Sequence, residues 1–295
     1  MIPRTPKSNP VPSTTLRAMT GSNRPNGSYK EIDGVATALV RLNHLRLEIS
    51  ADLLNSRSRI IEAHELFIGN RVLDNAPAAI FQFAVRIAEA QFKLGRDTEA
   101  AHLFNVIKKG VVQLRNQEFG TTILSDAIKT CRRNDMFELA MQLTESLADP
   151  ARQVETHLQT AELARMSEQS AAAIRCLTQY VYPAIDRLEN KAEKVAQLLA
   201  TAELSLKLEL RVEAKVLVYS IFDMISSMDY ANLEAAAILM ARLDLTEDAV
   251  HLLTDSWFRE SFTEDPRYRS EQDIRQNIIN QRFPRFAAFL RSAKP

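Results

Sequence analysis

His64 and Glu65 stand side by side in a stretch that reads as helix, which is how a zinc helix begins. The HExxH arrangement puts two imidazoles one turn apart on a helix face, with the glutamate as general base. Here the position for the second imidazole holds Ile68, so the ligand pair is missing. His64, His102 and His251 fall in different helical segments, and each reads as a half-exposed helix residue. Cys131 and Cys176 form no CxxC pair; both fall on apolar faces, where a thiol behaves as a small hydrophobe. The chain has no GxSxG elbow and no glycine-rich phosphate loop. Its seven glycines all precede residue 121, so the later part lacks the residue that positive-φ turns and phosphate cradles use. These residues predict no catalytic centre, no metal site and no cofactor.

A second chemistry is carried by charge. Arg282, Arg285 and Arg291 interleave with Phe283, Phe286 and Phe289, a pattern suited to phosphates or to an acidic partner. The same segment also reads as an end cap. Ser270 with Asp273 three residues on marks a helix start, and Ile274, Ile278, Phe283, Phe286, Phe289 and Leu290 form an apolar stripe. Formal net charge is zero over 295 residues, but it is unevenly spread. Residues 1–30 hold five bases and no acid, and residues 266–295 hold seven bases and two acids, so residues 31–265 carry −10. A polyanion is repelled by such a body, which disfavours nucleic acid as a partner.

The bulk properties narrow the class further. Two cysteines without a disulfide framework suit a reducing compartment, so the expected location is cytoplasmic. No apolar run reaches the ~18 residues of a membrane span, and no signal-peptide core follows the first charges. Residues 1–30 hold five of the eleven prolines with much Ser, Thr and Asn, and are expected to be a disordered basic tail. That tail resembles the unstructured leading segments of bacterial type III secretion substrates, so the alternative location is a host cell reached by export.

The elements that must position any site are written repetitively. "ADLLNSRSRIIEAHELF" at 51–67 and "AEAQFKLGRDTEAAHLF" at 88–104 are nearly one phrase. Sliding it along the chain places alanine at 51, 88, 127, 161, 202 and 237. Twelve residues on stand Ala63, Ala100, Leu139, Ala173, Ala214 and Ala249, then Phe67, Phe104, Leu143, Leu177, Val218 and Leu253. The intervening turns fall at Ser58, Gly95, Asn134, Glu168, Glu209 and Asp244. The spacing is that of a helical hairpin, with small residues where two helices cross and large ones filling the seam to the next pair. One hairpin cannot bury its apolar face alone, so neighbouring hairpins must stack.

This pattern resembles the tetratricopeptide repeat, most closely at Glu62-Ala63 to Phe67 and Glu99-Ala100 to Phe104. It departs from that family in lacking the tryptophan and tyrosine of the first helix and most of the closing prolines; sister families of paired-helix solenoids share what remains. The resemblance implies an all-α fold: a right-handed α-solenoid of about six antiparallel helix pairs over residues 31–258, with capping helices over 259–295. In that family the first helices line a concave face. The residues after the first-helix alanines are Asp52, Glu89, Ile128, Glu162, Glu203 and Ile238. By the resemblance, Asp52, Glu89, Glu162 and Glu203 form an acidic ladder in the groove, and the family's Lys/Asn/Arg carboxylate clamp is absent from these positions. The rival reading makes them helix-surface partners, since Glu89–Lys93 and Glu203–Lys207 are i,i+4 pairs. The function expected is non-enzymatic: a scaffold that binds a basic or amphipathic segment of another protein. A secreted effector or secretion-associated chaperone built on the same array is the alternative.

Overall fold

The computed structural model describes residues 28–49, 56–69, 72–111, 118–222, 224, 229–261 and 270–293. Asp52 and residues 1–27 lie outside the described residues, and with them all of the expected tail of residues 1–30 except Ser28–Lys30, which stand in the first turn of a helix rather than in a disordered segment. Every regular element described is helical. The order is α1 (Ser28–Ile49), α2 (Arg57–Gly69), a 3-10 turn (Val72–Asn75), α3 (Ala78–Lys93), α4 (Asp97–Val111), α5 (Glu118–Arg133), α6 (Phe137–Thr144) and α7 (Pro150–Met166). Next come α8 (Ser170–Cys176), running through a π turn (Leu177–Val181) into α9 (Tyr182–Asp186), then α10 (Lys191–Lys207) and α11 (Arg211–Phe222). The chain continues through α12 (Tyr230–Arg242), α13 (Thr246–Ser261), α14 (Glu271–Arg282) and α15 (Pro284–Ser292).

The regularity lies in the turns. Three residues each join α3 to α4, α5 to α6, α7 to α8, α10 to α11 and α12 to α13. The middle residue is left-handed every time: Gly95 (φ 69°), Asp135 (56°), Glu168 (60°), Glu209 (64°) and Asp244 (64°). At the first, Gly95 N–H donates to Phe92 O at 2.8 Å and Arg96 N–H to Gln91 O at 2.9 Å; both bonds recur in the other four turns. This closure satisfies the carbonyls orphaned at a helix C-terminus.

Counting from the left-handed residue fixes the register. Seven before stand Ala88, Ile128, Ala161, Ala202 and Ala237; five after stand Ala100, Ala140, Ala173, Ala214 and Ala249; all are at most 1% exposed. Nine after stand Phe104, Thr144, Leu177, Val218 and Leu253, also buried. The third turn departs from the sequence reading by one residue. Asn134 Nδ2 donates to Thr130 O at 2.8 Å, capping the last turn of α5, and Asp135 becomes the left-handed residue. Ala140 therefore takes the small position that the sequence assigned to Leu139, and Ile128 rather than the expected Ala127 stands seven residues before the turn. At the other end of these pairs, α7, α10 and α12 start on side-chain caps: Asp149 to Ala151 N, Asn190 to Ala192 N and Glu193 N, and Asp229 to Asn232 N. Ser270 caps α14 by accepting from Asp273 N–H at 3.2 Å, as its sequence predicts.

A side chain in the left-handed region costs about 1–2 kcal/mol, whereas glycine pays about 0.5–1 kcal/mol in the unfolded chain. Glu168→Gly and Glu209→Gly are therefore each expected to stabilise the protein by about 0.5–1 kcal/mol. Urea unfolding checks this; midpoints at or below the parent's would contradict it.

Each helix packs on its sequence neighbours, and alternate helices also meet: α3 with α5, α7 with α10, and α10 with α12. At the end of the chain α14 packs on α13, while α15 packs on α12 and α14. The buried apolar residues form two clusters that divide at α6. Its Leu139, Ala140 and Leu143 belong with α1 to α5, whereas Phe137 and Met141 belong with α7 to α15. Gly110 shows how closely α4 approaches α3: a Cβ there would meet the Phe81 ring at 2.9 Å.

Candidate functional site

The exposed face of α3, α5, α7, α10 and α12 carries most of the expected ladder. Six residues before each left-handed turn stand Glu89, Lys129, Glu162, Glu203 and Ile238; two before stand Lys93, Arg133, Met166, Lys207 and Arg242. The acids do not stand alone. Glu89 pairs with Lys93 at 3.0 Å. Glu162 accepts from Arg165 at 2.8 Å and 3.0 Å, and Lys207 of α10 reaches it at 3.4 Å. Glu203 lies 3.9 Å from both Lys207 and Arg242. An alternating strap of charge thus runs from α7 across α10 to α12. The Arg165 hydrogen bonds, with Lys207 adjoining, hold the Glu162 carboxyl below the usual carboxylate range. Such pairs, a third to a half exposed, contribute at most about 1 kcal/mol each. Alongside the strap, Ala196 and Ala200 of α10, Ala231 of α12, and Leu163 and Met166 of α7 are exposed, giving that end of the face a floor of small and apolar groups.

The C-terminal candidates separate. Arg282, Arg285 and Arg291 are exposed, but Phe283 and Phe286 are fully buried among Ile274, Ile278 and Ile279. Those two rings provide no stacking surface for nucleic-acid bases. The carboxylate of Glu234, buried in α12, accepts from Phe286 N–H at 2.9 Å and so caps the start of α15. This bond ties the last helix back to α12.

One constellation escaped the sequence reading. Cys176 Sγ lies 4.0 Å from His157 Nδ1, and His157 Nε2 lies 3.0 Å from Glu145 Oε1. A thiol, an imidazole and a carboxylate in that order are the parts of a nucleophilic centre. The environment removes the chemistry. Cys176 is 1% exposed and its thiol donates to His157 O at 3.2 Å. Burial pushes that thiol up to about 12, far from the thiolate a nucleophile needs. Cys131 is likewise buried with its thiol raised, as its apolar-face position predicts. His64 corrects the expectation of a half-exposed residue: it is 9% exposed, and burial lowers its proton affinity. His102 and His251 are exposed. Among the described residues no group of three or more His, Cys, Asp or Glu side chains is arranged to hold a metal ion. Nor is any described helix long and apolar enough to cross a membrane.

Compared with known proteins, the chain matches no family model, no curated protein and no solved structure.

Proposed function

We propose that this chain is a tetratricopeptide-like scaffold, a right-handed solenoid of about six antiparallel helix pairs, that binds a segment of another protein and catalyses nothing. The observation that carries this reading is the fivefold repeat of one three-residue turn, with a buried small residue five places beyond it every time. A repeated hairpin stacks its first helices side by side and presents their outer positions as one continuous surface. On this chain that surface is the strap of Glu89, Glu162 and Glu203 with their bases, next to the alanine floor of α10 and α12. Asp52 belongs to the same ladder in the sequence register. The partner such a surface fits is an amphipathic helix or extended segment. Its small apolar side lies on the alanines, and its Lys and Arg compete for the acids.

Free, buried thiols at Cys131 and Cys176 support a reducing, cytoplasmic setting. Photo-crosslinking tests the reading. The partner is first captured from cell extract on the immobilised full chain. Crosslinkers at Gln159 and Ala200, exposed on the first-helix face, are expected to label it; crosslinkers at Ala171 and Glu213, exposed on the second helices, are not. The opposite pattern sinks the proposal.

A further inference from the structure

The interior is polar where its two apolar clusters meet. His157, in the middle of α7, is fully buried. Its Nε2 faces Glu145 Oε1 at 3.0 Å and, in the neutral ring, carries the proton toward that acceptor. Nδ1 then presents its lone pair to Cys176 Sγ, whose proton is given to His157 O. The Tyr180 ring, on the π turn, lies 5.1 Å away between centroids. One turn earlier Gln153, 3% exposed, donates to Leu147 O at 2.7 Å and accepts from Arg187 Nη2 at 2.7 Å. From α5, Arg132 donates to Thr160 Oγ1 at 2.8 Å, Gln159 Oε1 at 3.1 Å and Thr156 O. Side chains from α5, the residue after α6, α8, the π turn and the residue after α9 thus converge on α7 around His157.

We propose that this polar seam is a pH-sensitive joint: neutral His157 holds the two clusters together, and its protonation releases them. A second proton would sit on Nδ1, whose neighbour is a thiol rather than an oxygen acceptor. A buried N–H without a good acceptor is costly, and a buried charge more so. The groups facing the ring explain why the charge is poorly offset. Arg132 from α5 and Arg187 beyond α9 repel it; Cys176 from α8 and Tyr180 from the π turn are neutral; among the described residues Glu145 beyond α6 alone attracts it. Of the bases on α10, Lys194 is engaged with Asp186 and Lys207 with Glu162. Burial accordingly holds His157 below its ordinary value of 6.5, with the Glu145 hydrogen bond opposing.

The sign follows from linkage. The unfolded or opened chain takes up the proton first, so the seam is fully stable above about pH 6.5 and weakens as pH falls toward the folded value. The carboxylates lowered by arginine partners, Glu62, Glu99 and Glu162, lose their contribution only around and below their ordinary 4.5, outside this window. His64 titrates in the same window but lies in α2, so the readout must be resolved along the chain. Because the first-helix face crosses the seam between α5 and α7, opening would alter the path offered to a bound segment. That last consequence rests on the scaffold reading; the joint itself does not.

Hydrogen exchange of the full chain, read by mass spectrometry at about pH 7.5 and about pH 5.5 and corrected for intrinsic rates, tests the joint. Protection over residues 118–186 is expected to fall by up to about tenfold per pH unit below 6.5, while α12 and α13 keep theirs. His157→Phe keeps a ring beside Tyr180 that cannot titrate, and is expected to abolish that local change. Loss spread evenly along the chain, no loss, or an unchanged loss in His157→Phe would each overturn the proposal. Should the variant not fold, the ring resonance of His157 in the parent decides. A midpoint below 6.5 supports the joint, and one at or above it overturns the joint.

Discussion

Ala161→Leu and Ala202→Leu are each expected to lower the unfolding free energy by about 1–3 kcal/mol. Both alanines are fully buried seven residues before a left-handed turn, where α7 meets α8 and α10 meets α11. Antiparallel helices approach to about 8–10 Å, and a methyl at the crossing permits the closer end of that range. Leucine adds three carbons at positions that are already 0% exposed, so either the helices separate or a side chain leaves its rotamer well. Helix propensity cannot explain such a loss, because leucine ranks beside the best helix formers. Ala196→Leu and Ala200→Leu, on the exposed side of α10, supply the control and should leave the midpoint unchanged within about 0.5 kcal/mol. Equal midpoints for buried and exposed substitutions would show that the alanine columns do not mark the crossings.

These columns are legible in the sequence because a helix crossing constrains size, and size constraints repeat with the hairpin. The turns are legible for a related reason: each needs a polar residue or glycine in the left-handed region, and Gly95, Glu168, Glu209 and Asp244 stand where their spacing puts them, whereas Ser58, expected as a turn, lies inside α2. The third turn is displaced because Asn134 is itself a good capping side chain, and the spacing cannot tell a cap from the left-handed residue beside it. What the sequence hides is any pairing across helices. Glu89 with Lys93 and Glu203 with Lys207 are visible as i,i+4 neighbours, whereas Lys207 reaching Glu162 spans 45 residues of chain. The polar seam is hidden for the same reason. His157, Glu145, Arg132, Arg187 and Cys176 share no short-range spacing, and only the packing of α5 to α9 brings them together.

The acids of the first-helix face give the second large effect. Glu89→Lys with Glu203→Lys is expected to weaken binding of the captured partner by about 1–3 kcal/mol, chiefly through a slower on-rate. Glu162 is left in place because Arg165 and Lys207 both bond to it. Glu89 has Lys93 as its ion-pair partner, and Glu203 has only contacts of 3.9 Å, so the folding cost should stay near 1 kcal/mol or below. Isothermal titration of parent and double variant against that partner, at low salt and at about 1 M salt, tests the scaffold claim most directly. A clear affinity gap is expected at low salt, narrowing when screening shortens to about 3 Å. Equal affinities at low salt would contradict it and leave the acids as surface partners of their neighbouring bases.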